Sequence, residues 1–255
     1  MVGIVGIAHN FVHHKESPFR YLFFITGFTH REWQIMHCIS HHLYPNTELD
    51  YEAAAFEPIT FYLRSLPENN ILRIIVIELL FFVLQPLNMT LKLLIVPILK
   101  KTSPDFLYSF PLLIMSAAIW NSETAWEGVK FYLFIYGCFT FALMKSLFCG
   151  HRIQDTWTEG AEKIEDYGEH TVYATSDTDA WIHGLASYVL LAGFNVHVAH
   201  HFFPTADHKI LPKLDEIIEE VCKRRGVKRN QKSRFQCMVS IYKGMYKRIP
   251  FSKRK

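Results

Sequence analysis

Three clusters of histidine constrain the fold of this chain more than any other feature of its sequence. They read HNFVHH, HCISHH and HVAHH, and they contain His9, His13 and His14; His37, His41 and His42; and His197, His200 and His201. Histidine is a common ligand of transition metals. On a helix, residues three or four apart have Cβ atoms about 5 to 6 Å from each other, so the histidines of one cluster can converge on one point. The clusters therefore predict helices that carry a metal site.

Each cluster ends in two adjacent histidines. Neighbouring side chains on a helix diverge by about 100°, so the two rings of such a pair can reach two separate metal ions. One helical pair of histidines is more often structural, but three clusters with a shared pattern favour a dinuclear site. Zinc sites take three or four protein ligands, whereas two iron ions match so many imidazoles better.

The order of the clusters, and the apolar stretch between the second and the third, resemble the membrane fatty acid desaturases. The runs HREWQIMHCISHHLYPNTELDYEAAAFEP and HVAHHFFPTADHKILP are most similar to the branch called cytochrome b5-related proteins. This resemblance covers His9 to Pro212. It implies a di-iron oxidoreductase that uses dioxygen to introduce a double bond into a fatty acyl chain. The ligands that it implies are His9, His13 or His14, His37, His41, His42, His151, His197, His200 and His201.

Residues outside the clusters are expected to support the metal ligands. Metal-bound imidazoles usually donate their second N–H to a carboxylate or carbonyl. The candidates near enough in sequence are Glu32, Asp155, Asp166, Asp207 and His208. Just before the third cluster the similar branch tends to have Gly-Asp, where this chain has Asn195 and Val196. Loss of that acidic neighbour predicts weaker orientation of His197.

Apolar segments predict a mostly α, polytopic membrane protein in which a helical cytosolic cap holds the site. Residues 129–149 are long and apolar enough for a tilted transmembrane helix, and residues 106–120 form a shorter apolar partner. Residues 71–100 are apolar but contain Glu78, and Pro86 should kink or break a helix. We expect two interfacial or re-entrant helices there. No sheet is expected.

Two helices are predicted in the cap. One runs from Trp181 to His201 and carries the third cluster. The other covers residues 213–225 and is amphipathic, because one face carries apolar side chains and glutamates point away from it. The expected apolar face consists of Leu214, Ile217, Ile218 and Val221.

The two ends of the chain indicate topology and domain organisation. Residues 221–255 contain thirteen Lys and Arg and no Asp or Glu, which predicts a basic cytosolic tail and places the histidines on the same side, at the endoplasmic reticulum. The first eight residues, MVGIVGIA, span only about 12 Å of helix, too little to cross a bilayer. We therefore expect one desaturase domain over residues 1–255, with an incomplete first membrane helix and without a cytochrome b5 domain.

The predicted partners follow from that resemblance and from the basic tail. They are a fatty acyl substrate, as acyl-CoA or linked to a lipid, cytochrome b5 or its reductase as electron donor, and membrane lipids, but not nucleic acid. Two alternatives stay open from sequence. One is a lipid hydroxylase of the same di-iron class, and the other is a truncated relative without catalytic activity.

Overall fold

The computed structural model of the chain describes residues 1–14, 16–54, 71–100, 110–153, 156, 165–179, 181–182, 186 and 193–247. It confirms a mostly helical protein. The α-helices are α1 (Val2–Val12), α2 (His30–Trp33), α3 (Tyr51–Ala54), α4 (Ile71–Lys100), α5 (Phe110–Trp120), α6 (Ala125–His151), α7 (Tyr167–Ala174), α8 (His197–Phe202), α9 (Leu211–Arg225) and α10 (Arg234–Lys247). Pro18–Thr26 and Phe194–Val196 form 3₁₀-helices, and Gln34–His41 forms a π-helix.

A small sheet accompanies the helices, contrary to the expectation from sequence. Strand β1 (Ser176–Thr178) pairs in parallel with β2 (Asn230–Lys232), with Ser176 opposite Asn230. Two short strands cannot form a stable unit alone. Their role is to join the segment before α8 to the segment before α10.

Helix α6 is the central helix of the structure. Its first turn is capped by Thr124, whose hydroxyl accepts a hydrogen bond from the Glu127 N–H. Helices α4, α5 and α10 pack against it, and its last residue, His151, reaches the histidine clusters. Among the described residues, α6 is the one helix long and apolar enough to cross a membrane by length and composition, and it contains the span predicted over residues 129–149.

Helix α4 corrects the predicted break at Pro86, because it is one continuous helix of 30 residues. Proline has no N–H to donate to the carbonyl four residues earlier, which is that of Phe82. Gly137 of α6 lies against this carbonyl, where an added Cβ would be only 2.8 Å from the oxygen. The charged Glu78 accepts a hydrogen bond from Lys145 of α6. Contacts with α6 thus accommodate Glu78 and Pro86, from which a break in α4 was predicted.

The predicted long helix from Trp181 to His201 is also wrong. Gly193 adopts a left-handed conformation (φ 83°), which ends a right-handed helix. A 3₁₀ turn follows it, and α8 begins only at His197. His183, which was placed on the long helix, lies outside the described residues.

Helix α9 matches the predicted amphipathic helix, but its buried stripe overlaps the predicted apolar face only in part. Its buried side chains are Leu211, Ile218 and Cys222, which pack near Val198 of α8. Ile217, expected to be buried, is 57% exposed, and Val221 is 38% exposed. The buried stripe is therefore rotated about the helix axis, so that it shares Ile218 with the predicted face but leaves Ile217 and Val221 exposed.

The basic segment predicted to be a tail is folded as far as Lys247. Arg229 is buried there, with 3% of its side chain exposed. Its guanidinium donates to Asp177 on β1 at 2.5 Å, to Asp215 on α9 at 2.5 Å and to Glu219 at 3.2 Å. One cation thus joins α9 to the strand that precedes the third histidine cluster.

Replacement of Arg229 should destabilise the fold. In Arg229→Gln, the buried carboxylate of Asp177 loses its cation, and an uncompensated buried charge typically costs about 3 to 5 kcal/mol. Lys228 is the matched control, because it is adjacent and exposed. Thermal unfolding in detergent should show a clearly lower midpoint for Arg229→Gln and an unchanged midpoint for Lys228→Gln. Equal midpoints would contradict the role of the buried cation.

Candidate metal centre

Nine histidines from four parts of the chain converge in the structure, in two groups. Candidate ligand atoms of the five histidines in the first group lie within 4.8 Å of one another, as do those of His41, His151 and His201 in the second. The first group consists of His9, His13, His37, His42 and His200. The second consists of His41, His151 and His201, with His197 in contact with His151. Of the nine, only His13 is partly rather than fully buried.

His151 lies at the centre of the second group. Its Nε2 atom is 2.8 Å from Nε2 of His197, 3.1 Å from that of His41 and 3.2 Å from that of His201. Nitrogens bound at right angles to one ion, each at about 2.1 Å, are about 3 Å apart. The spacing of these four rings therefore fits ligands of a shared metal ion.

The first group has similar spacing around His37. Its Nε2 atom lies 2.7 Å from Nε2 of His9 and 3.0 Å from Nε2 of His42. The Nε2 atoms of His13 and His200 are buried and have no hydrogen-bond partner among the described residues. Buried polar atoms normally have a partner, because desolvation without one is costly. The two orphaned nitrogens fit a site for a metal ion.

The π-helix determines which rings meet. The His42 N–H bonds to the carbonyl of His37, five residues earlier, at 3.0 Å. This wider turn places His37 and His42 in one group, while His41 enters the other. Helix spacing of four predicted that His37 and His41 would converge, and ligand atoms of these two residues do lie within 4.8 Å of each other, in a further set with Glu52. π-helical turns often occur at functional sites.

Helices α1 and α8 distribute the remaining rings. His9 and His13 are one turn apart and both enter the first group, whereas His14 lies outside both groups. On α8, His201 enters the second group and His200 enters the first. The divergence of His200 and His201 agrees with the prediction that two adjacent histidines at the end of a cluster reach two separate sites.

Three of the histidine rings are held in orientation by a hydrogen-bond partner at Nδ1. His37 Nδ1 lies 2.5 Å from the Glu52 carboxylate, and His41 Nδ1 lies 3.0 Å from the Asp50 carboxylate. His151 Nδ1 donates to the backbone carbonyl of Ala174 at 3.0 Å. Such partners fix the ring and leave Nε2 to the metal. Sequence reasoning missed Asp50 and Glu52, although both follow the second cluster directly, in NTELDYE.

The carboxylates named from sequence have other positions. Glu32 caps α2 in a reciprocal arrangement with Thr29. Asp166 caps α7 and accepts from the Glu169 N–H, while Asp207 accepts from the Lys209 N–H. Asp155 lies outside the described residues. For His208, the fifth supporting candidate, burial lowers the pKa to about 4.

Charge also differs among the ligand candidates. Burial lowers the pKa of His13 to about 3, and it lowers the pKa of His42 and His200 well below the usual value. These rings are therefore neutral near pH 7, which is the form that binds metals. Burial also acts to lower the pKa of His41, but the charges of Asp50 and Glu52 outweigh it and raise the value to about 9.

A carboxylate from another element orients the third cluster. The Val198 N–H at the start of α8 donates to Asp177 Oδ1 at 2.9 Å. The Gly-Asp expected before this cluster is absent from the sequence, and Asp177 on β1 provides an acidic contact at the start of the helix. Because Arg229 pairs with Asp177, the C-terminal segment supports the histidine-bearing helix.

Comparison with known proteins agrees with this geometry. The sequence model of the family described as fatty acid desaturase matches residues 1–233. The chain is 25% identical over 226 residues to the Cytochrome b5-related protein of Drosophila melanogaster, a match that covers 84% of this chain and 51% of that protein. The chain thus spans about half the length of this relative. No solved structure matches.

Loss of the Glu52 carboxylate should weaken metal binding. Glu52→Gln removes the charge behind His37, and outer partners of this kind typically contribute 10- to 100-fold to metal affinity. Exposed Glu48, in the turn just before α3, is the matched control. Titration of the metal-free chain with Co²⁺ should show weaker binding in Glu52→Gln and parental binding in Glu48→Gln. Equal affinities in the two variants would refute an orienting role for Glu52.

Proposed function

The chain belongs to the fatty acid desaturase family, and from this premise we propose that it introduces a double bond into a fatty acyl chain. The reaction takes two hydrogens from adjacent methylenes, and dioxygen, two electrons and two protons balance it to two waters. The observation that carries the proposal is the convergence of nine histidines in two groups. This donor set suits two iron ions.

We assign the ligands by group. The first iron would be held by His9, His13, His37, His42 and His200, and the second by His41, His151, His197 and His201. Bound iron would supply the dioxygen activation that hydrogen removal from an unactivated methylene requires, which no side chain can provide. Glu52 and Asp50 hold the rings of His37 and His41 with Nε2 towards the metal.

An apolar cavity supports a fatty acyl substrate, as acyl-CoA or linked to a lipid. It is narrow in this structure, with a cavity volume of about 40 Å³, and it reaches His9 of the first group. Most of its lining consists of apolar side chains from α1, α6 and the segment between α1 and the π-helix. These include Val5, Phe23, Phe28, Leu143, Met144 and Leu147. Such walls exclude water and offer an alkyl chain contacts that do not depend on specific hydrogen bonds.

Electron supply and location complete the proposal. We propose that cytochrome b5 or its reductase donates the two electrons; the name of the Drosophila relative is consistent with a cytochrome b5 connection. The protein would be a multi-pass component of the endoplasmic reticulum membrane, with α6 as one span. Its basic carboxyl end and the histidines would lie on the cytosolic side, as the positive-inside rule requires.

Iron content and lipid products test the proposal together. The purified chain should bind about two irons and convert acyl substrate to a product lighter by two hydrogens when cytochrome b5 and its reductase are added. His42→Ala and His41→Ala should each lose one iron and the product, because each removes a ligand from one group. His30→Ala, outside both groups, should retain both.

The possible products distinguish the alternatives. A product heavier by one oxygen would identify a lipid hydroxylase of the same di-iron class. A parent chain without iron, or with iron that is indifferent to His41→Ala and His42→Ala, would refute the metal centre.

A bulky side chain in the cavity should change substrate length without changing metal content. Met144→Trp narrows the cavity, so we expect turnover of long acyl chains to fall at least about tenfold. Steric overpacking and the loss of a few apolar contacts with the acyl chain typically have an effect of this size. Shorter acyl chains should be affected less. Phe131→Trp, on the exposed side of α6, is the matched control. Equal losses for all chain lengths would contradict an acyl-binding role for this cavity.

A further inference from the structure

Asn46 has an unusual backbone in the loop that follows the second histidine cluster. Its φ angle is 57°, in the left-handed region, and only 1% of the residue is exposed. Residues other than glycine seldom adopt this conformation, although asparagine tolerates it better than most. An outlier that is both buried and polar calls for an account of its contacts.

The side chain of Asn46 joins two distant segments. Its Nδ2 donates to the carbonyl of His151 at 2.9 Å and to the carbonyl of Ala174 at 3.1 Å. Both partners are acceptors only, so the amide nitrogen must face them. The backbone N–H of Asn46 donates to the Asp50 carboxylate at 2.8 Å.

Two of these three partners also contact a histidine ring. The carbonyl of Ala174 accepts from Nδ1 of His151, and the same Asp50 oxygen lies 3.0 Å from Nδ1 of His41. The Nε2 atoms of these two rings are 3.1 Å apart. Asn46 therefore contacts the groups that orient both rings, although His41 and His151 are 110 positions apart in sequence.

We propose that Asn46 is a positioning residue for the second metal ion, an inference that rests on the ligand assignment of the proposed function. It touches neither the metal nor the substrate. It holds the carbonyl of Ala174 and the carboxylate of Asp50 where His151 and His41 need them. The left-handed backbone is what allows its amide and its own N–H to serve the two rings together.

The arrangement offers a variant that removes the contacts without backbone strain. Glycine adopts positive φ freely, so Asn46→Gly retains the loop conformation and loses both Nδ2 bonds. The carbonyl of His151 keeps the hydroxyl of Thr156 as a donor at 2.8 Å, so the end of α6 stays capped. The carbonyl of Ala174 loses its hydrogen bond to the loop.

Anaerobic titration of the full chain with Co²⁺, followed by its visible absorption, tests the proposal. The parent should bind two ions. In Asn46→Gly, one of the two should bind 10- to 100-fold more weakly, with altered absorption bands, because outer-shell partners contribute that much. The unfolding temperature of the metal-free chain should fall only slightly, because two buried hydrogen bonds are lost, so weakening confined to one ion is the decisive result. Thr47→Ala, which removes turn hydrogen bonds in the same loop, should bind both ions as the parent does.

Three further substitutions identify the affected ion and guard against misfolding. Added to Asn46→Gly, His41→Ala should remove the weakened ion and leave the tightly bound one, whereas His42→Ala should remove the tightly bound ion and leave the weakened one. Asn46→Asp keeps the shape but turns an oxygen towards two carbonyls. It should weaken the same ion even if the glycine variant does not fold.

The outcomes separate this inference from the ligand assignment. A parent with two ions and an Asn46→Gly variant with unchanged affinities would overturn the positioning role alone. Equal weakening of both ions with a lower unfolding temperature would show a purely structural role and would also overturn it. A parent that binds no cobalt would overturn the metal centre, and the positioning role with it.

Discussion

The burial of nearly all nine imidazoles at one junction is the constraint on which the rest of the structure depends. Removing so many polar rings from water is costly unless their nitrogens find partners. The Nδ1 atoms of His37, His41 and His151 find them in a carboxylate or a carbonyl. The Nε2 atoms converge on each other, an arrangement that a bound cation would stabilise. The stability of the fold and the formation of the candidate metal centre therefore depend on the same buried rings.

Long-range ties hold the junction together. Asp177 joins the start of α8 to Arg229 of the carboxyl-terminal segment, and Asn46 joins the loop after the π-helix to the end of α6. Each tie crosses between elements that are far apart in sequence. The basic carboxyl-terminal segment thus has a structural role in the described residues as well as a charge suited to a cytosolic surface.

Particular residues show how far sequence reasoning reached. Helical spacing correctly indicated that adjacent histidines can serve different groups and that His37 and His41 lie close together, but it did not predict that His42 joins His37 in the first group. The i to i+5 bond to His42 has no signature in residue type, since it depends on what packs around the turn. For the same reason the continuity of α4 through Pro86 was not predictable, because Gly137 of another helix provides the space.

The sequence by itself determined the family, the mostly helical class and the residue type that would bind the metal, because the histidine clusters and apolar runs are local patterns. Only the tertiary structure decided which rings share a group and which partners orient them. Asp50, Glu52 and Asn46 act on rings through contacts whose geometry depends on how the loop folds back against α6 and α7. A local pattern specifies what a segment can become, whereas a site built from distant segments is specified by their packing.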